Sequence, residues 1–180
     1  AQMQGKVIYV TDDSGSLYVE TAQQVTLEPG DRVDVVGFRG VVDSRPALEE
    51  AISRRTGKGP ILPPRWLTAQ GARQGEHDSA LVTVEGLLTA SSSLPTEEAF
   101  IVRQDNIVFG AVWKGSPESR LASPPEGAWL RLTGICLVET DARGAPVSFR
   151  IQLRSQQALV TVRKPPWLTA SSALCGWGYG

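Results

Sequence analysis

Asp31 to Phe38 reads DRVDVVGF, and Ala128 to Ile135 reads AWLRLTGI. Each stretch follows a turn containing Pro and Gly, Glu28-Pro29-Gly30 before the first and Pro124-Pro125-Glu126-Gly127 before the second. Each sets an apolar residue at every second position ahead of a glycine, Gly37 or Gly134. Alternation with period two is the mark of a strand buried on one face. A glycine late in such a strand forfeits packing and backbone entropy, so it marks a bulge, a bend or a close backbone approach. The simplest reading is one small β-barrel motif used twice.

Working outward, the first stretch is preceded by Gly5 to Thr11 (GKVIYVT), a turn cluster Asp12-Asp13-Ser14-Gly15, and Ser16 to Glu20 (SLYVE). Two β-rich runs around an Asp/Gly turn predict a hairpin. A short run, Gln24 to Leu27, leads into the repeated strand. Pro46 to Arg55, PALEEAISRR, is ambiguous. Ala, Leu and Glu favour helix, whereas alignment with Pro146 of PVSFRIQLRS, where Phe149, Ile151 and Leu153 alternate, favours strand; strand is the reading adopted. Thr56 to Arg65, TGKGPILPPR, is too rich in Gly and Pro to continue either element. Thr68 caps a short helix, Ala69 to Gln74, stopped by Gly75.

The second unit repeats the order: a long strand from Leu81 to Ala90 broken by Gly86, Ala99 to Arg103 (AFIVR), Ile107 to Trp113 (IVFGAVW), a helical turn within Ser116 to Ala122, the repeated strand extended to Glu139, a strand through Leu153 and a last one at Ala158 to Val162. Five short antiparallel strands with an optional helix between the third and fourth is the order of the OB barrel. The expected fold is therefore all-β, two tandem five-stranded OB-like barrels with one or two short helices. The first is truncated or distorted, since only Met3 and Gln4 precede its glycine where the second has Leu81 to Glu85. The expected units are residues 1–57, a linker and helix at 58–75, the second barrel at 76–164 and a tail at 165–180.

The chain of 180 residues, 41% hydrophobic and 21% charged, is long enough to bury roughly 70% of its unfolded surface and has the composition of a globular protein. A net charge of −1 argues against nucleic acid as a partner, because neutralising phosphates needs clustered excess Lys and Arg. Cys136 and Cys175 match no metal-ligand spacing; Cys136 reads as a small buried apolar side chain, and a bridge to Cys175 is left open. The start at Ala1-Gln2-Met3, with neither initiator Met nor signal peptide, reads as a piece of something longer. The tail from Trp167 through Trp177 and Tyr179 carries no charge and three aromatic residues; it is too short to span a bilayer and fits the outer end of a spanning helix or a packed terminus.

The segments GKVIYV, SLYVET, LEPGDRVDVVGF, RPALEEAISRRTGKGP, LTAQGARQGEHDSALVTVEG, LRLTGICLVETDARGAPVSFRIQLRS and VTVRKPPWLT together resemble the extracytoplasmic sensory region of bacterial transmembrane sensor proteins, mostly sensor histidine kinases with some diguanylate cyclases. The resemblance covers nearly the whole chain and is most specific at PGDRVDVVGF and from Gly134 to Pro166. It implies a tandem OB-like periplasmic domain, anchored to the inner membrane by a helix following the C-terminus and coupled to a cytoplasmic output domain. It supplies no ligand residues. The partners it implies are an unidentified small ligand or a periplasmic protein, and a homodimer is left open.

No residue set points to catalysis or to a cofactor. The single histidine, His77, lacks partners at metal-ligand spacing and sits in GEHDSALV, ahead of a strand rather than in the helical hairpin a phosphoacceptor needs. No serine lies in G-x-S-x-G, and adjacent acids such as Glu49-Glu50 and Glu97-Glu98 face opposite ways on a strand. Asp12-Asp13-Ser14-Gly15 lacks the remainder of a calcium-ligand series. What is left is binding on the second and third strands, the usual OB ligand surface. There the sequence offers Tyr18 in the first unit and Phe100, Arg103, Phe109 and Trp113 in the second, aromatic residues and an arginine suited to stacking on bases or sugars. The competing reading places these aromatics in the core. The expected function is a non-catalytic periplasmic sensing and signal-transmitting domain. The alternatives are a soluble OB module for oligonucleotide or oligosaccharide and a structural dimerisation domain.

Overall fold

The computed structural model describes residues 2–4, 6–23, 26–43, 45–115 and 123–165. The first unit holds β1 (Gln2–Gln4), β2 (Val7–Asp12), β3 (Gly15–Thr21), β4 (Asp31–Val42) and β5 (Arg45–Lys58). The chain then forms β6 (Arg65–Trp66) and α1 (Ala69–Arg73). The second unit holds β7 (Leu81–Ser93), β8 (Glu97–Gln104), β9 (Ile107–Lys114), β10 (Trp129–Thr140), β11 (Pro146–Leu153) and β12 (Leu159–Arg163).

Both units follow the same order. In the first, the strands lie β1-β2-β3-β5-β4; in the second, β7-β8-β9-β11-β10, and β10 returns to pair with β7. The sequence first-second-third-fifth-fourth, with the fifth strand parallel to the third, is the OB arrangement. The second unit closes into a barrel because β7 is long enough to serve twice. Its first half, Leu81 to Leu87, pairs with β10, and its second half, from Leu87 to Ser93, pairs with β8. Gly86 does not break this strand. A Cβ there would come within 2.6 Å of a Val102 methyl, so the glycine permits the close approach where the strand passes from one neighbour to the other. In the first unit β1 has three residues and pairs with β2 alone, so β4 ends the sheet. The expected pair of OB-like units with a truncated first member is what the structure holds.

The ambiguous run Pro46 to Arg55 is strand. Pairing with β4 across the whole of β5 outweighs the helix propensity of its Leu, Glu and Ala residues. That hairpin turns at Asp43 with φ +50°, and Glu50, also at φ +50°, lies beside a shift in register between Val36 and Phe38. Two boundaries are corrected. β5 extends through Thr56 and Gly57 to Lys58, and Arg65 belongs to a short strand, β6, which pairs with β7 and so joins the linker to the second sheet. The helix begins as expected, with the Thr68 hydroxyl accepting from the Gly71 N–H at 3.1 Å. Gly75, at φ +94°, then turns the chain out of it. The helical turn expected within Ser116 to Ala122, the tail and the question of a bridge to Cys175 all lie outside the described residues.

The second barrel contains the main core. Phe100, Phe109, Leu130, Leu132, Phe149, Ile151 and Leu153 are buried there, with Phe109 and Phe149 stacked at 4.7 Å between centroids. Cys136 is fully buried among them, and burial, reinforced by the nearby Asp78 carboxylate, pushes its thiol up to about 12, as an inert core thiol requires. The first unit has a smaller core around Ile8, Val19, Leu27 and Ala51. A third cluster joins the units: Tyr9 packs with Ile135 and Leu137, flanked by Val7, Tyr18 and Leu81. Beside it the buried Arg45 guanidinium lies 3.4 Å from the Asp78 carboxylate and donates to the Val138 carbonyl at 3.3 Å. Among the described residues no helix is long and apolar enough to cross a membrane.

Candidate functional site

Alternation on β8, β9 and β11 decides which side chains face water. Phe100, Val102, Phe109, Ala111, Phe149 and Ile151 point inward and are buried. Their neighbours point outward and align in rows: Glu97 with Lys114, Ala99 with Val112 and Gln152, Ile101 with Gly110 and Arg150, and Arg103 with Val108. Gly110 leaves a dip between Ile101 and Arg150, because it has no side chain to fill the row. Next to that dip lies a cleft of about 110 Å³ lined by Glu97, Val112, Lys114, Arg150 and Gln152.

The cleft sets one apolar side chain, Val112, among the charged Glu97, Lys114 and Arg150 and the polar Gln152. Lys114 lies 3.9 Å from Glu97, and Arg150 lies 3.6 Å from Glu139; all four side chains are well exposed, so these pairs contribute little to stability and their cations stay available. Small-molecule sites usually measure several hundred Å³. A cleft of this size accommodates one group of a longer ligand, such as a carboxylate, a phosphate or part of a sugar ring, with the rest lying along the sheet. The far end of the face meets the first unit, where the Tyr9 hydroxyl donates to Gln152 Oε1 at 3.3 Å. Burial and the adjacent Tyr18 phenol push Tyr9 up to about 12, so it is a neutral donor at physiological pH.

The residues expected to bind divide accordingly. Arg103 is exposed on the outer face, as expected of a ligand residue. Phe100 and Phe109, each 2% exposed, are corrected to core: their rings fill the barrel and cannot meet a ligand outside it. Trp113 is partly buried and packs against the same core. Tyr18 lies at the seam, edge-on to Tyr9 with centroids 5.7 Å apart. Residues that the sequence reading passed over, Lys114, Val112, Arg150 and Gln152, line the cleft. Asp12 spends its carboxylate on its own turn, accepting from the Ser14 N–H and hydroxyl and from the Gly15 N–H. His77 sits in the turn between α1 and β7. Among the described residues no group of three or more His, Cys, Asp or Glu side chains is placed to hold a metal ion.

A second patterned face lies on β6, β7, β10 and β12. Arg131 extends over the Trp66 ring, 4.8 Å from its centroid, and Arg163 lies 5.7 Å from the centroid of Trp129. Glu85 ties them together, accepting from Arg131 Nε at 2.8 Å and from the Trp129 indole at 3.1 Å, and these bonds hold its carboxyl below the usual range. The signal for this face was present in AWLRLTGI, where Leu130 and Leu132 face inward and Trp129 and Arg131 therefore face outward.

No family model and no curated protein matches the chain. Several solved structures are similar at low identity. An aspartyl-tRNA synthetase from Entamoeba histolytica is 12% identical with a TM-score of 0.42, over 56% of this chain and 22% of that one, so this chain spans about a fifth of that enzyme's length. A murine DNA-binding protein bound to double-stranded DNA is 8% identical with a TM-score of 0.42, over 87% of this chain and 84% of the other. The Ifi202 HINa domain in complex with 20 bp double-stranded DNA is 10% identical with a TM-score of 0.39, over 91% and 88%. The OB assignment rests on strand order rather than on these likenesses. One expectation is corrected by the placement of the cations: a net charge of −1 is no ground for setting nucleic acid aside. A whole-chain charge does not describe single faces, and Arg103, Lys114 and Arg150 share one side of one barrel. The likenesses assign no partner to this chain.

Proposed function

We propose that the chain is a non-catalytic recognition module that binds through the outer face of β8, β9 and β11, and that it serves as the periplasmic sensory part of a membrane-anchored sensor kinase. The observation that carries the sensing role is the double position of Gln152. It lines the cleft and also accepts the hydroxyl that the first unit presents through Tyr9. A ligand that draws on the Gln152 amide changes the contact between the units, which gives binding a mechanical consequence. Anchoring and the kinase output are supported by the sequence resemblance and by the apolar, aromatic composition of the tail.

The test has two parts. Hydrogen exchange at β2 and β3 is followed while the chain is titrated with acidic oligosaccharides. Binding that is lost in Lys114→Ala and Arg150→Ala, accompanied by changed exchange at Tyr9, supports the reading; binding with no change at the seam removes the signalling part. Fractionation of the full-length protein tests the anchor, and recovery entirely apart from membranes sinks it.

A second reading, an oligonucleotide-binding module, is favoured by Arg103, Lys114 and Arg150 standing on one face with the exposed Ile101 and Val108 between them. Titration with single-stranded 12-mers at low salt distinguishes it, since affinity carried by phosphate contacts falls steeply as salt rises.

A further inference from the structure

The face of β6, β10 and β12 is not used by the proposed ligand site, and its chemistry is that of a surface in contact with lipid headgroups. Trp66 is 61% exposed, and Val160, opposite Arg131 in the β10–β12 ladder, is 45% exposed, as is Val162. The cations Arg131 and Arg163 stand among them, with the exposed Lys164 next in the chain, and among the described residues Glu85 is the carboxylate bonded to the cluster. Trp, aliphatic side chains and Lys/Arg mixed on one exposed face match the boundary of a bilayer. Indoles sit at headgroup level there, aliphatics displace water, and cations meet lipid phosphates.

The geometry points to this face as a docking surface for an anionic bilayer, holding the second barrel against the membrane with β6 and β12 next to the lipid. The argument for a bilayer over a single-stranded nucleic acid at this face is local. Each indole already carries a guanidinium over one side of its ring, and the half-exposed valines offer a base nothing to stack on. The charge is complementary to phosphatidylglycerol headgroups, and Glu85 does not oppose it because Arg131 and the Trp129 indole already satisfy its oxygens. The inference rests on the membrane-anchored reading for its biological setting, although the surface itself is a property of the folded chain.

The experiment is flotation of the 180-residue chain with vesicles of phosphatidylcholine alone and of phosphatidylglycerol mixed equally with phosphatidylcholine, at low salt. The chain is expected to float with the anionic vesicles only and to be released by salt. Arg163→Glu and Lys164→Glu should each lower the partition coefficient about fivefold or more, as expected for a cation near an anionic surface. Trp66→Ala, at an exposed position that leaves folding intact, should weaken it as well, whereas Arg103→Glu on the opposite ligand face should not. Failure to float, or flotation indifferent to all three substitutions, overturns the inference. If a fluorescent single-stranded 20-mer binds through Trp66 and Arg163 while vesicles do not, the face belongs to nucleic acid instead. These outcomes are separate from those for the ligand cleft and the anchor, because neither Lys114 nor any residue beyond Lys164 enters the vesicle result.

Discussion

Arg45 in the first unit and Asp78 in the second meet across the seam at 3.4 Å, with the arginine only 4% exposed. Asp78 also accepts the Val138 N–H at 2.8 Å, so a single carboxylate satisfies a buried cation and a buried backbone donor. Asp78→Ala takes from Arg45 its nearer carboxylate, leaving Asp43 at 3.8 Å, and leaves the Val138 N–H unpaired; it is expected to cost about 3 kcal/mol, more than Arg45→Met, which leaves behind a carboxylate with access to water. Urea unfolding of the two variants gives the order; equal losses would mean the pair carries no more than its packing.

The seam should also respond to alkali. Tyr9 has a folded value of about 12 against an ordinary 10.0, raised first by burial. Between these values the unfolded chain releases a proton that the folded chain keeps. The contribution is therefore complete below pH 10 and is lost as pH rises towards 12, up to roughly 2 kcal/mol. Tyr9→Phe removes the titration, and its stability profile above pH 10 should be flatter than that of the unaltered protein. Parallel profiles would place the ionisation elsewhere, at Tyr18 or Cys136, which burial also raises.

Gly134→Ala should be the more damaging of the two repeated-strand substitutions. A Cβ at Gly134 clashes with the Gln152 backbone carbonyl in the closed barrel, while one at Gly37 comes to 2.9 Å from Ala51 Cβ and the Glu49 carbonyl oxygen in the open unit. Overpacking against backbone costs about 1–3 kcal/mol. Thermal unfolding that ranks Gly37→Ala as worse would mean that the Gln152 carbonyl yields more readily than Ala51 and Glu49 do.

Val36, Phe38 and Val41 on β4 are 76%, 71% and 69% exposed on a strand with no second neighbour among the described residues. A long apolar edge is a template for unwanted pairing, and a lysine on it is a common protection. Phe38→Lys is expected to change folding stability by no more than about 0.5 kcal/mol and to reduce concentration-dependent association in sedimentation. A loss of several kcal/mol would mean that Phe38 is covered by something in the folded protein.

The barrels were legible because period-two alternation survives in every long strand, and DRVDVVGF and AWLRLTGI showed the duplication before any pairing was known. On β8 and β9 the alternation is legible, but it assigns Phe100 and Phe109 to the core rather than to the outer face. Phe100 and Arg103 are three residues apart on one strand, so they cannot share a face. The charge of Arg103 marks its side as the wet one and Phe100 as core. The cleft residues were harder to see, because Lys114 and Arg150 become neighbours only through the parallel pairing of β9 with β11. The seam left no local trace. Arg45 finds Asp78, and Tyr9 finds Gln152, through packing between units that no periodicity encodes.

The open sheet of the first unit has a consequence for how the molecule comes apart. Among the described residues four buried side chains form its own core, against twenty in the second barrel and α1, and its remaining apolar support is the cluster shared at the seam. A unit with so little interior of its own belongs to the least stable cooperative segment of a fold. Its melting and its undocking are then nearly one event, and the second barrel outlasts both. The junction at Tyr9, Arg45 and Asp78 thus works as a latch whose release frees an entire sheet, so a change confined to a few side chains becomes a difference in how much of the chain is folded.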